Sequence, residues 1–187
     1  MHSNKGNLRI VGGKYRSRLI RVPSRPGLRP TPDRVRETLF NWLGQDLTGL
    51  ACLDLFAGSG ALGFEAASRG AARVLMVEKD RAAVAELERS RAALGAMQVA
   101  IVSGDAMAFL VREREQFDVV FLDPPFRQNA VPTILGSLPP HLAPGARVYV
   151  ESDVPVDPAL PWIELKRGKA GQVSYQLLQW NAKEGQP

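Results

Sequence analysis

Two short stretches of this chain have the residue types to do chemistry: Asp54-Leu55-Phe56-Ala57-Gly58-Ser59-Gly60 and Asp123-Pro124-Pro125-Phe126. Each follows an apolar run. In the first, closely spaced glycines allow a tight turn whose backbone can approach a small ligand. In the second, a proline after Asp123 pushes that residue to extended geometry, and Pro125 does the same to Pro124. The two prolines also remove two N–H donors. What remains is a pair of acceptors, the Asp123 carboxylate and the Pro124 carbonyl. An amino group on a planar ring has two N–H donors, and its lone pair is delocalised into the ring. Accepting both hydrogens from fixed directions orients that nitrogen and reduces its conjugation. Phe126 can stack on the ring, a contact worth about 1–3 kcal/mol. The implied chemistry is in-line attack by a positioned amino nitrogen, in which positioning supplies much of the rate. By itself, the stretch also reads as a strand-ending proline turn with an incidental aromatic.

Gly58 through Gly63 matches G-x-G-x-x-G, and Glu78 ends the next apolar run, where an acid can grip ribose hydroxyls. A nicotinamide dinucleotide is therefore one reading. Two acids argue against it. Asp54 lies just ahead of the glycines, and a carboxylate there suits a cationic amino acid moiety better than a diphosphate. Asp105 follows the third apolar run, where it can accept from an adenine amino group. Asp54, Glu78 and Asp105 thus fall at the C-terminal ends of three successive expected strands, where open α/β sheets bind ligands.

The elements that must position these residues alternate along the chain. Thr31 reads as an N-cap, with Pro32 at the first helical position. Val35, Leu39, Trp42 and Leu43 follow at helical spacing until Gly44 stops the helix. Strands are expected at 51–56, 73–77, 99–102, 117–122 and 147–151. Helices are expected at 61–69, 81–94, 107–114 and 130–138. Strands that are apolar almost throughout, separated by helices, indicate a parallel sheet covered on both faces. The runs 162–166 and 173–180 have no helix between them and should form an antiparallel hairpin at the sheet edge. The expected class is α/β, a Rossmann-like and mostly parallel sheet. The expected division is a basic hairpin and linker (1–30), a main domain (31–180) and a frayed tail (181–187).

Charge is unevenly spread. Residues 1–37 carry net +8, and the rest of the chain carries net −3. Arg9, Lys14, Arg16, Arg18 and Arg21 interleave with Leu8, Ile10, Val11, Tyr15, Leu19, Ile20 and Val22, and Gly12-Gly13 supplies a turn. That pattern predicts an ordered hairpin with basic side chains on one face, suited to a polyanion. The single cysteine, Cys52, sits in an apolar strand as a core thiol. His2 and His141 are too far apart in sequence to suggest a metal site. No apolar run reaches membrane-spanning length, and the N-terminus lacks the apolar stretch of a signal peptide. A soluble cytoplasmic protein is expected, with neither metal nor membrane.

Over roughly residues 8–180 the chain resembles the RsmD family. The resemblance is carried by Arg29-Pro30-Thr31, Arg34-Val35-Arg36-Glu37, the 54–60 turn, Val77-Glu78-Lys79, Gly104-Asp105-Ala106, Asp123-Pro124-Pro125-Phe126, Val150-Glu151, Lys169-Ala170-Gly171 and Tyr175. It implies a class I methyltransferase that uses S-adenosyl-L-methionine to methylate the exocyclic N2 of a guanine in 16S ribosomal RNA. The substrate would be an assembled small-subunit particle and the enzyme a monomer. By resemblance, Asp54 lies near the methionine end, with Phe56, Ala57, Gly58 and Gly60 forming the loop beneath it. Glu78 and Lys79 serve the ribose, and Asp105 and Ala106 the adenine. Asp123, Pro124, Pro125 and Phe126 form the catalytic corner. Arg29 and Arg34 join the basic hairpin as RNA contacts. Arg34, Arg36 and Glu37 also read as a salt-bridged surface turn. The alternatives are an adenine-N6 DNA methyltransferase, which shares the same corner, and a non-catalytic RNA-binding module.

Overall fold

A computed structural model describes residues 6–22, 32–125, 130–157 and 161–181. Arg29, Thr31, Phe126, the 23–30 linker and the 182–187 end of the tail lie outside the described residues.

The chain opens with two short antiparallel strands, β1 (Asn7–Arg9) and β2 (Leu19–Arg21). Helix α1 (Asp33–Leu43) follows. The alternating body then runs β3 (Ala51–Asp54), α2 (Ala61–Ser68), β4 (Arg73–Glu78), α3 (Arg81–Leu94), β5 (Val99–Ser103), α4 (Ala106–Arg112), β6 (Phe117–Leu122) and α5 (Ala130–Ser137). A short 3₁₀ turn, Pro139–His141, leads into β7 (Leu142–Ser152), and β8 (Trp162–Ala170) and β9 (Val173–Trp180) finish the sheet.

The seven long strands form one sheet in the order β5-β4-β3-β6-β7-β9-β8. Contacts from β5 to β7 are parallel, and β9 pairs antiparallel with both β7 and β8. The fold is the expected mostly parallel Rossmann-like sheet with an antiparallel edge. Successive crossovers run outward from β3 to β5, then return to place β6 on the other side of β3. This reversal makes the C-terminal ends of β3 and β6 a topological switch point. Two apolar cores result. One lies under α1, α2, α3 and the N-terminal hairpin, the other under α4 and α5. No helix among the described residues is long and apolar enough to cross a membrane.

Several boundaries move from expectation. Strand β3 ends at Asp54 rather than at residue 56, because the chain turns into the glycine loop. Its cap is closed by Ala57 N–H donating to the Val77 carbonyl at 3.0 Å. Strand β7 begins at Leu142, ahead of the expected 147, because an irregularity between Phe117 and Val119 accommodates Pro144-Gly145 within the pairing. Strand β8 likewise continues to Ala170 through an irregularity between Glu164 and Lys166. Pro32, not Thr31, occupies the cap position of α1, while Gly44 ends that helix in the left-handed conformation at φ 97°. The link between β1 and β2 spans residues 10–18 rather than a two-residue turn at Gly12-Gly13. Cys52 is fully buried, and that burial pushes its thiol up to about 12.

Candidate active site

The cofactor end is assembled by backbone donors. Gly60 has φ 78°, and a side chain there would run into Leu87 and Phe64, so only glycine lets α2 start this close to α3. Asp54 ends β3 beneath that start and is 2% exposed; its carboxylate accepts from Gly63 N–H at 3.0 Å. Burial raises its proton affinity, Gly63 opposes the rise, and the nearby Glu78 charge adds to it; the group is pushed up to about 7. Glu78 ends β4 and accepts from Gly58 N–H at 2.9 Å and Asp80 N–H at 2.8 Å. The glycine turn and the ribose-type acid are therefore one hydrogen-bonded unit. Lys79 beside it is exposed, as expected of a strand-end residue. Asp105 serves as the N-cap of α4, accepting from Met107 and Ala108 N–H at 3.0 and 3.1 Å through one oxygen, and Ala106 begins that helix, buried. Glu78 and Asp105 lie at adjacent strand ends, since Glu78 pairs with Ser103.

The chemical end is one strand away. Asp54 pairs with Phe121, so Asp123 emerges beside the cofactor end. Pro124 is buried and Pro125 exposed. Asp123 is held well above the usual carboxylate range by burial first, then by the charges of Glu151 and Asp54. The β6–β7 register pairs Leu122 with Val150, and the next residue on each strand is Asp123 and Glu151. Glu151 is 5% exposed and accepts from the Tyr149 hydroxyl at 2.9 Å. Glu151 pairs in turn with Tyr175 on β9. Tyr175 packs against Tyr149 at 6.4 Å and Trp42 at 5.4 Å, measured between ring centroids. Among the described residues no three His, Cys, Asp or Glu side chains gather to hold a metal ion.

The basic residues are placed elsewhere. Arg9, Lys14, Arg16, Arg18, Arg21 and Arg34 are all exposed. Lys14 N–H donates to the Ser68 carbonyl at 2.7 Å, and the Arg18 guanidinium donates to the Ala93 carbonyl at 2.9 Å. Ser68 and Ala93 lie at the C-terminal ends of α2 and α3, so residues 14–18 sit at the rim opposite Asp54 and Asp123. The hairpin is also tied into the body. Leu8, Ile10, Tyr15 and Ile20 are buried, and Val11 and Gly12 N–H both donate to Glu65 at 2.8 Å. Glu65 accepts further from Arg36 at 3.3 Å and Arg69 at 2.9 Å. Arg36, expected on a surface turn, is instead 0% exposed and also donates to the Arg9 carbonyl at 2.8 Å. Only Arg34 and Glu37 of that turn are exposed.

A sheet reversing at β3 and β6, with acids at its strand ends and an Asp-Pro-Pro corner at the switch point, defines a Rossmann-like methyltransferase. The comparisons with known proteins agree. The family described as Conserved hypothetical protein 95 matches residues 8–179. Ribosomal RNA small subunit methyltransferase D of Escherichia coli (strain K12) is 46% identical over 187 residues, covering 97% of this chain and 94% of that protein. The solved structure of yhhF from Escherichia coli is similar with TM-score 0.86 and 45% identity, covering 95% of this chain and 99% of that one. An RNA methyltransferase from Salinibacter ruber, solved with S-adenosyl-L-homocysteine, shares the fold at TM-score 0.61 and 22% identity over 82% of this chain and 95% of that one. The chain belongs to the RsmD family, and it is an enzyme, a methyltransferase.

Proposed function

We propose that this protein transfers a methyl group from S-adenosyl-L-methionine to the exocyclic N2 of a guanine in 16S ribosomal RNA, as a cytoplasmic monomer acting on an assembled small-subunit particle. The observation that carries this reading is the adjacency of Asp54 and Asp123 at the switch point. It sets an acceptor corner for an amino group beside a buried acid suited to a cation. The site fits that cofactor. Among the described residues Asp54 and Asp123 have no Lys or Arg ion-pair partner, and a cationic ligand compensates carboxylates left in this state. When bound, the cofactor supplies an electrophilic methyl group on a sulfonium centre. Asp54 faces its amino acid end, Glu78 and Lys79 its ribose, and Asp105 with Ala106 its adenine. Asp123 and the Pro124 carbonyl accept the two amino hydrogens and aim the nitrogen. Phe126 provides the stacking ring. The exposed Arg9, Lys14, Arg16, Arg18, Arg21 and Arg34, together with Arg29, hold RNA phosphates. Residues 14–18 do so at the far rim, so they grip a part of the RNA remote from the target base.

Tritiated methyl transfer onto naked 16S RNA, small-subunit particles and DNA, followed by mapping of the label, tests this reading. Label at guanine N2 in particles is expected. Label on adenine in DNA would establish the alternative. Asp123→Ala should lower single-turnover rates at least about a hundredfold through lost positioning, with cofactor affinity near normal. Normal rates in that variant would make the corner a structural turn.

A further inference from the structure

The Lys169-Ala170-Gly171 motif and Tyr175 stand at the catalytic rim with no part in the chemistry described above. Strand β8 pairs with β9 and runs in the direction of β6 and β7, so its last residues reach the same rim as Asp123. The register fixes their level. Leu122 pairs with Val150, Glu151 with Tyr175, and Tyr175 with Gly168. Asp123, Glu151, Tyr175 and Gly168 thus lie in one row across four strands, about 14 Å from end to end at the usual strand spacing. Lys169 is the next residue out, towards the turn at Gly171-Gln172. Lys166 pairs with Leu177, which belongs with Phe121 to the core under α1, so Lys166 leaves the sheet on the face of Phe121.

Packing pins this end of the hairpin. A side chain at Gly168 would lie 2.4 Å from the Tyr175 ring, so glycine there lets the ring lie across β8. The same ring packs on Trp42 at 5.4 Å and on Tyr149 at 6.4 Å. The hairpin is also locally basic. Residues 162–173 hold Lys166, Arg167 and Lys169 against one acid, Glu164, on a chain that is net −3 beyond residue 37. Glu164 is taken by Arg167, whose guanidinium donates to it at 2.8, 3.0 and 3.1 Å. Lys166 and Lys169 are exposed, and among the described residues neither has a carboxylate partner. Lysines on an edge strand can serve only to prevent pairing with another chain. That role needs no particular level on the strand. Here the two lysines flank Gly168, the residue in register with the catalytic row, and the acids of that row offer nothing to a phosphate. We propose that Lys166 and Lys169 hold the RNA phosphates that flank the target nucleotide, while the Asp123 corner holds its base. Phosphate contacts fix register and orientation, so this pair sets which nucleotide enters the corner. Residues 14–18 at the opposite rim anchor a separate part of the RNA. The inference rests on the RNA methyltransfer reading above and adds the phosphate contacts nearest the target.

The test uses the double variant Lys166→Glu/Lys169→Glu, which keeps the strand edge charged but reverses the sign that meets a phosphate. Its adenosylmethionine affinity should match wild type, which also shows that it folds. Its KM for small-subunit particles should rise at least about tenfold, and the log–log salt slope of particle binding should fall by about 1–2. Edge protection alone leaves KM and slope at wild-type values, and that result overturns the proposal. Particles reconstituted with 16S RNA carrying uncharged methylphosphonate linkages on either side of the mapped nucleotide decide the location. These linkages should weaken wild-type binding at least about tenfold and leave the variant unweakened or improved. Equal losses in both proteins would put the lysines away from the target and overturn the proposal. An unaffected wild type overturns it as well, and this comparison holds even if the variant does not fold. Mapping of the wild-type label separates the two levels. No methyl label in 16S RNA removes the RNA reading, and the proposal with it. Label at a guanine N2 with equal salt slopes in the two proteins removes the role of Lys166 and Lys169 alone.

Discussion

Glu65 and the row formed by buried Asp54 and Glu151 with half-buried Asp123 are two ways of withdrawing carboxylates from water in one domain. Glu65 is 0% exposed and fully provided for. Two backbone N–H groups and two guanidinium groups converge on it, from residues 11, 12, 36 and 69. At the catalytic rim, Asp54 and Asp123 have no Lys or Arg ion-pair partner among the described residues. Asp54 takes Gly63 N–H, Glu151 takes Tyr149, and Asp123 faces the charges of its two neighbours. A buried charge persists where its partners are built in, or where a ligand brings them. Glu65 is therefore a structural centre, whereas Asp54 and Asp123 are the acids proposed above to meet a ligand.

The sharpest way to break the contrast is at Glu65. Glu65→Ala should destabilise the protein by about 3–5 kcal/mol, because the Val11 and Gly12 N–H groups lose their acceptor and buried Arg36 keeps only Asp33 and the Arg9 carbonyl. Urea denaturation measures this, and a loss below about 1 kcal/mol would show the network to be ornamental. The rim should respond to pH instead. Asp54 titrates near 7 in the fold but near 3.8 as a free side chain. Between those values the folded chain keeps a proton that the unfolded chain releases. Stability of the cofactor-free protein should therefore fall as pH rises from about 4 to 7, then level off, with a share on the order of 2–4 kcal/mol from this group. Asp54→Asn should flatten that fall in denaturation curves taken across the range. An unchanged pH profile in the variant would remove Asp54 as the source.

Smaller effects test the edges of the site. Glu78→Ala should weaken adenosylmethionine binding by about 1–3 kcal/mol in calorimetry, through loss of the ribose acceptor and of the carboxylate that holds Gly58. Full affinity would take Glu78 out of the site. Removing the far-rim charges with Lys14→Ala and Arg16→Ala should lower the log–log salt slope of RNA binding by about 1–2, with cofactor affinity unchanged. An identical slope would leave that rim without RNA. These point changes probe the hairpin more cleanly than deleting it, since its apolar residues belong to the core.

The contrast also separates what a single sequence carries from what it withholds. Asp54 and Asp123 announced themselves because each follows an apolar run and adjoins a glycine or proline turn, whereas Glu151 entered only through the family resemblance. Strand-end position is a local property, visible in the chain. Glu65 had only a faint signal, an acid inside the otherwise apolar helix Ala61–Ser68, and Arg36 sat similarly between Val35 and Leu39. Their meaning lies in partners far along the chain, which periodicity does not reveal. The same holds for Asp105, whose helix-capping contacts are visible only with α4 in place. Strands β7 and β8 were read short because Pro144-Gly145 and Gly168 are strong local breakers, whereas irregular pairing accommodates the first and Gly168 pairs in register with Tyr175. Tyr149 escaped notice because its value lies in a hydroxyl aimed at Glu151, two residues along the same strand face.

The ring of donors around Glu65 has a consequence for how the chain is made. Its partners reach from residue 11 to residue 69, so none of the early contacts can close until α2 has been synthesised. Leu8, Ile10, Tyr15 and Ile20 leave the ribosome before the helix they pack on, within the most basic stretch of the sequence. During that interval the segment carries its positive charge without the contacts that later fix it. The arrival of one glutamate turns it from a loose tail into a wall of the enzyme.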